Sequence, residues 1–180
     1  MIKPFDFYFD FVSPYSFLAH KEIKKIQNKA SIKVRYKPIL LGGLHNLHGI
    51  KAPAFIPAKP KHMIRDCKLI AERNNVKFKF NSYFPIRSLN LMRGVFVAEE
   101  DNYKSYYIDN IFDAIWQDGS NMNDDNIIQK ILLFETNVGA PKTPFSYASL
   151  VCFFKLSFID EEVALKAKVL GFTFRFFKTF

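Results

Sequence analysis

Phe5-Asp6-Phe7-Tyr8-Phe9-Asp10-Phe11-Val12-Ser13-Pro14-Tyr15-Ser16 opens the chain and decides how the rest is read. Alternation over Phe5–Phe11 puts four Phe on one side of an extended segment, which predicts a strand. Ser13 then suits a helix N-cap, and Pro14 suits the first helical position, where an N–H has no intrahelical partner anyway. Tyr15–Lys29 sets Phe17, Leu18, Ile23 and Ile26 among charges and predicts an amphipathic helix. Ser31–Pro38 alternates again, Ile32, Val34 and Tyr36 against Lys33, Arg35 and Lys37, so a second strand with one wet face is expected near a sheet edge. Strand, helix and strand within residues 5–38 make a βαβ unit with a right-handed crossover.

Around this start, 180 residues suit one domain, or one domain with an insertion, able to bury roughly 70% of its unfolded surface. A hydrophobic fraction of 49% excludes wholesale disorder, and two Cys cannot staple a disulfide scaffold. Asp6 and Asp10 break the apolar core a signal peptide needs, and the longest apolar stretch, Phe145–Phe158, is too short to span a bilayer and contains Lys155. A cytoplasmic protein with no membrane partner is expected. Residues 1–80 hold 16 Lys+Arg against 5 Asp+Glu, whereas residues 81–180 hold 10 against 12. The cations are scattered rather than clustered and no aromatic–basic motif accompanies them, which argues for a solvated face or attraction of anionic small molecules over nucleic-acid binding.

From Pro38 to Pro60, Gly42, Gly43, Gly49, Pro53 and Pro57 predict mostly loop. Helices are expected over Lys61–Arg73, Ser88–Ala98, Asp101–Asp118 and Asn123–Thr136, with Asp101 and Asn123 as N-caps and Gly119 and Gly139 as stops. A short β-rich piece over Val76–Phe80 is expected between the first two of these helices. Such a helical block would be inserted into the sheet, and Phe172–Phe177 is the candidate strand for the return.

The turn Ser13-Pro14-Tyr15-Ser16 lies between the first strand and the first helix. Its spacing is that of a Cys-x-x-Cys redox turn with both sulfurs replaced by hydroxyls, so disulfide exchange there is excluded. Outward N–H groups and the helix dipole leave a preformed anion site with an O–H donor, suited to a thiolate brought in by a cofactor. Lowering a thiol pKa from about 8.5 to about 6.5 requires roughly 2.7 kcal/mol. A hydrogen bond to a charged group contributes about 1.5–3 kcal/mol, and a helix N-terminus adds about 0.3–1. The two together can suffice. Two other roles for Ser13 stay open: a plain helix cap, or a covalent nucleophile, which would need a base other than His20 two turns along.

Phe7–Ala19 resembles the opening of the 2-hydroxychromene-2-carboxylate isomerases, DsbA-type thioredoxin-fold proteins related to kappa-class glutathione transferases. Leu41-Gly42-Gly43, Ala52–Lys59 and Phe84–Gly94 match in the same order, so the likeness covers roughly residues 5–135. It implies an α/β fold, a thioredoxin-like sheet interrupted by an inserted helical domain. Residues 1–57 would form the N-terminal βαβ part, 58–158 the helical insertion and 159–180 an incomplete return to the sheet. It further implies glutathione as cofactor, with Ser13 as the catalytic residue that hydrogen-bonds its sulfur and Lys59 as a second glutathione contact. The reaction implied is cis–trans isomerisation of an aromatic 2-oxo acid, and a homodimer is compatible with it. Arg87 or Arg93 could meet the substrate carboxylate or merely lie on a helix surface. The Asn that helps hold glutathione in relatives falls at Ile50, which cannot replace its hydrogen bonds. A kappa-like transferase, or an inactive thioredoxin-like binding protein, are the competing readings.

The last 40 or so residues depart from that pattern. Val169-Leu170-Gly171-Phe172-Thr173-Phe174 lacks the Pro of the relatives' cis-Pro turn, and nine of the 21 Phe follow Pro144. A shifted reading frame or a truncated product is the expectation this break raises. Elsewhere, no metal site is expected: His45 and His48 read as loop residues. Cys67 reads as a helix-face thiol, Cys152 as core filler, and Trp116 with Ile108, Ile111, Phe112 and Ile115 as core packing.

Overall fold

Strand β1 (Phe5–Phe9) forms where the alternation places it and runs parallel to β2 (Val34–Pro38), with Phe5 opposite Val34 and Phe9 opposite Pro38. The computed structural model describes residues 4–30, 32–100 and 103–136. Helix α1 (Pro14–Lys29) connects the two strands and buries Phe17, Leu18, His20 and Ile23. On β2, Arg35 and Lys37 are exposed between half-buried Val34 and Tyr36, the one-wet-face pattern of an edge. Arg35 meets Asp6 across the pair, Nε to Oδ1 at 2.5 Å. Ile26, which the helical pattern assigns to the buried face, is exposed.

The Phe stripe of β1 sinks into the core at one end: Phe5 is exposed, whereas Phe9 and Phe11 are fully buried. They meet Phe112 from helix α5 (Lys104–Asp113), whose ring lies 4.9 Å from Phe11 and 5.8 Å from Phe9, centroid to centroid. Phe17 of α1 closes the same cluster at 6.0 Å from Phe112. Each such edge or tilted pair adds about 0.5–1.5 kcal/mol beyond its buried area, so one ring of the helical block binds both the sheet and α1. Trp116, Ile108, Ile111 and Ile115 are buried beside it, as core packing requires.

Several boundaries differ from expectation. Helix α2 (Leu41–Leu47) occupies part of the segment expected as loop, followed by a short 3-10 turn at Pro53–Phe55. Two Gly disfavour that helix by about 1 kcal/mol each relative to Ala, but its first N–H, on Leu41, is held by the Asp10 carboxylate at 2.8 Å. Helix α3 (Lys59–Arg73) begins two residues early, after Ala58 in the left-handed region (φ 69°). Helix α4 spans Leu89–Glu100, preceded by a cis Phe84–Pro85 bond.

Val76–Phe80 is not a strand. Two of its N–H groups go to helices instead: Val76 N–H donates to Ala71 O of α3 at 2.9 Å, and Lys79 N–H donates to Trp116 O at 2.7 Å in the π-helical end of α5, Ala114–Asp118. The widened turn frees carbonyls of that element, and the side-chain amide of buried Asn81 donates to one of them, Ile115 O at 3.0 Å, and to Ser120 O just beyond the element at 2.9 Å. Gly119 ends that element with φ 73°, as a stop should. Helix α6 (Asp125–Thr136) is preceded by Asp124, whose Oδ1 accepts from Asn126 N–H at 2.9 Å. Asn123, expected as the cap, instead accepts from Arg87 N–H at 2.9 Å. Asp101, Gly139, Cys152, the Phe-rich tail and the candidate return strand lie outside the described residues.

Candidate active-site turn

A carboxylate, Asp10, directly follows β1. Asp10 accepts from Val12 N–H through Oδ1 at 3.0 Å, and its main-chain oxygen accepts from Ser13 N–H, also at 3.0 Å. Short polar side chains favour this geometry because they can bond the backbone two residues on. The turn delivers Ser13 to the N-cap of α1 in an extended conformation, φ −90° and ψ 114°, with Pro14 next. Ser13 Oγ accepts from Ser16 N–H at 3.2 Å.

That bond satisfies the helix yet leaves the hydroxyl's own proton unspent. A serine hydroxyl has two acceptor lone pairs and one donor, and capping uses a lone pair. Capping and donation to an external anion are therefore compatible, and Ser13 is only half-buried. Pro14 has no N–H to satisfy, and Tyr15 carries the first turn's remaining donor. The groups on offer to an anion at this turn are a hydroxyl, a main-chain N–H and the positive end of a 16-residue helix.

Tyr15 lies between this turn and α3. Its ring is 42% exposed and its hydroxyl donates to Asp66 Oδ2 at 2.8 Å, so the phenol is held protonated far above its usual range, by burial first and then by Asp66. Cys67 beside it is not a surface thiol. It faces inward with Met63 and Ala71, and burial, then the Asp66 charge, push its pKa to about 11 against a slight opposing pull from Tyr15. Such a thiol is inert near neutral pH.

His20 is spoken for. Its Nε2 lies 2.7 Å from Asp109 Oδ1 and its Nδ1 2.9 Å from the Tyr36 hydroxyl. With both nitrogens engaged, it is not free to act as a base for Ser13. Asp109 also accepts from Lys24 at 2.7 Å. Burial raises its carboxyl, but the hydrogen bonds and charges of His20 and Lys24 outweigh burial and hold it below the usual value.

Lys59 is exposed in the first turn of α3, while Arg87 and Arg93 are exposed before and on α4. Among the described residues no hydrogen bond or ion pair joins any of the three to Ser13. Ile50 is exposed as well. The segment carrying Arg87 does reach the turn's root: Ser88 hydrogen-bonds the Asp10 carboxylate, and Met92 Sδ accepts from Phe11 N–H at 3.4 Å. A shallow groove lined by Lys61, Arg65, Lys68, Leu69 and others lies on the solvent face of α3, opposite Cys67, and carries none of this chemistry.

Sequence reasoning missed Asp10. Register puts it on the face of Asp6, which is wet, yet it is 1% exposed. The available signal was an Asp followed within three residues by Ser-Pro at a strand end, a pattern that closes a turn on its own side chain.

Residues 5–135 match the family described as the DSBA-like thioredoxin domain. A glutathione S-transferase kappa 1 of Caenorhabditis elegans is 37% identical over 68 residues, 37% of this chain and 30% of that protein. A 2-hydroxychromene-2-carboxylate isomerase of Pseudomonas putida is 27% identical over 116 residues, 63% of this chain and 56% of that protein. The solved structure of a 2-hydroxychromene-2-carboxylate isomerase superposes with a TM-score of 0.69 at 20% identity, covering 83% of this chain and 70% of that one, a likeness of fold. The chain spans between 30% and 65% of the length of the curated relatives it matches.

Proposed function

This chain belongs to the DSBA-like thioredoxin domain family, and from that premise we propose that it is a glutathione-dependent cis–trans isomerase acting on an aromatic 2-oxo acid. The single observation that carries the reading is the Ser13 hydroxyl at the start of α1, capped through a lone pair and still able to donate. Likeness to proteins named 2-hydroxychromene-2-carboxylate isomerase supports the reaction class.

Glutathione would supply a thiolate that adds reversibly to a conjugated double bond, so that rotation before its departure exchanges cis for trans with no net change in atoms. Ser13 would donate its O–H to that sulfur, and the α1 N-terminus would add its dipole, which together favour the ionised thiol. Lys59, an exposed cation at the start of α3, would meet a carboxylate of the tripeptide. Arg87 would face the carboxylate of the substrate. We take 1–57 as the βαβ part, 58–158 as the insertion and 159–180 as the sheet's return. A cytoplasmic setting is proposed with it; among the described residues no helix is long and apolar enough to cross a membrane.

A second reading, a kappa-like glutathione transferase, draws on the 37% identity to a kappa 1 protein. Ser13 serves both, and product analysis with a hydroxychromene carboxylate and with a halodinitrobenzene separates them. The deciding experiment is titration of bound glutathione followed by thiolate absorbance, wild type against Ser13→Ala. The midpoint is expected about 1–2 pH units lower when Ser13 is present. Superimposable curves would remove Ser13 from the mechanism, and folded protein that is not retained on immobilised glutathione would favour the inactive binding protein.

A further inference from the structure

We propose that Asp10 is the positioning residue of the Ser13 turn, its carboxylate fixing where the hydroxyl stands relative to α2 and α4. The inference rests on the thiolate-stabilising reading of Ser13.

Asp10 is one of four buried polar residues among the described residues. It makes no ion pair there, which is unusual for a buried carboxylate. Three neutral donors from three segments converge on it instead. Val12 N–H reaches Oδ1 at 3.0 Å, Leu41 N–H reaches Oδ2 at 2.8 Å, and the Ser88 hydroxyl also bonds the carboxylate. A fourth bond, from Ser13 N–H to the main-chain oxygen of Asp10, closes the same turn from the backbone side.

The arrangement ties together pieces that lie far apart in sequence. Val12 immediately precedes Ser13, Leu41 opens α2, and Ser88 sits one residue before α4. Removal of the carboxylate leaves three donors without their acceptor, one of them on the residue next to Ser13. Burial raises the Asp10 carboxyl above its ordinary 3.8, while the bonds from Val12, Ser88 and Leu41 pull against that rise. Both carboxyl oxygens are used at once, Oδ1 by Val12 N–H and Oδ2 by Leu41 N–H, a pair of acceptors that an Asn side chain in the same volume cannot offer.

The test is a double-mutant cycle read on the ionisation of bound glutathione. Ser13→Ala is expected to raise the midpoint by about 1–2 pH units in the otherwise native protein. In the Asp10→Asn background the same substitution is expected to raise it by less than half as much, because the hydroxyl no longer stands in register. A purely electrostatic effect of Asp10 would move both midpoints together and leave the Ser13→Ala shift intact, which would overturn the proposal. If Asp10→Asn does not fold, Ser88→Ala, which keeps the charge and removes one donor, takes its place in the cycle, and an undiminished Ser13→Ala shift there is equally fatal.

Amide exchange separates this proposal from the function it rests on. Faster exchange at Val12, Ser13 and Leu41 than in native protein is expected in the Asp10→Asn variant, or in Ser88→Ala where that one replaces it. Unchanged exchange at these amides overturns the positioning role whatever glutathione does. Absence of any Ser13 dependence in the native titration would sink the thiolate reading, and exchange would still decide Asp10.

Discussion

The indole N–H of Trp116 donates to the main-chain oxygen of Phe11 at 2.9 Å, joining the π-helical end of α5 to the strand end two residues before Ser13. Phe11 therefore has both backbone groups taken by side chains, Met92 Sδ on its N–H and Trp116 on its oxygen. Trp116→Phe is expected to destabilise the protein by at least about 1–3 kcal/mol, since the Phe11 oxygen is left buried and unpaired. Urea unfolding reads this directly, and an unchanged midpoint would mean that the bond is replaced by water.

Gly94 allows α4 and α5 to approach. A Cβ there would fall 2.2 Å from the Tyr107 hydroxyl, itself buried and donating to Leu91 O at 2.9 Å. Gly94→Ala must push that ring aside and is expected to lose about 1–3 kcal/mol by overpacking, in spite of the better helix propensity of Ala. A rise in thermal midpoint would show that the ring moves freely.

Asp109 has a pKa below its ordinary 3.8 in the folded protein. Its contribution to stability is thus fully present above that value and lost as pH falls through the lower folded value. Asp109→Asn should lower stability at pH 7 by about 1–2 kcal/mol through weakened bonds to His20 and Lys24. The gap between wild type and variant should close on acidification below pH 3.8, as measured by denaturation at stepped pH.

Cys67 has its pKa raised to about 11 from an ordinary 9.0. Its folded form holds its proton more tightly, so stability is expected to decline as pH rises across that interval. Alkylation by iodoacetamide at pH 8, followed by peptide mapping, should leave Cys67 unmodified in native protein and modify it in denaturant. Rapid native labelling of that peptide would contradict its burial beside Tyr15.

Local chemistry was legible in the chain because it depends on neighbours in sequence. The alternation of Phe5–Phe9, the Ser13-Pro14 helix start, the wet face of β2 and the Gly119 stop follow from side-chain period, capping and left-handed preference, each a matter of a few residues. Matching motifs in order carried the fold family as well. Helix α2 was missed because Leu41 N–H is anchored by Asp10, 31 residues away, and no propensity rule sees that bond. Val76–Phe80 was misread because its N–H partners are helical carbonyls such as Trp116 O rather than a neighbouring strand.

The amino-acid order by itself determined where a hydroxyl meets a helix start, since Ser13 and its Pro are adjacent and the cap closes on Ser16. Only the tertiary structure decided which charges are buried and who holds them. Asp6 and Asp10 occupy the same register, yet one pairs with Arg35 at the rim and the other is sealed under Leu41 and Ser88. Burial and long-range hydrogen bonding are properties of packed segments, and no window of neighbouring residues contains them.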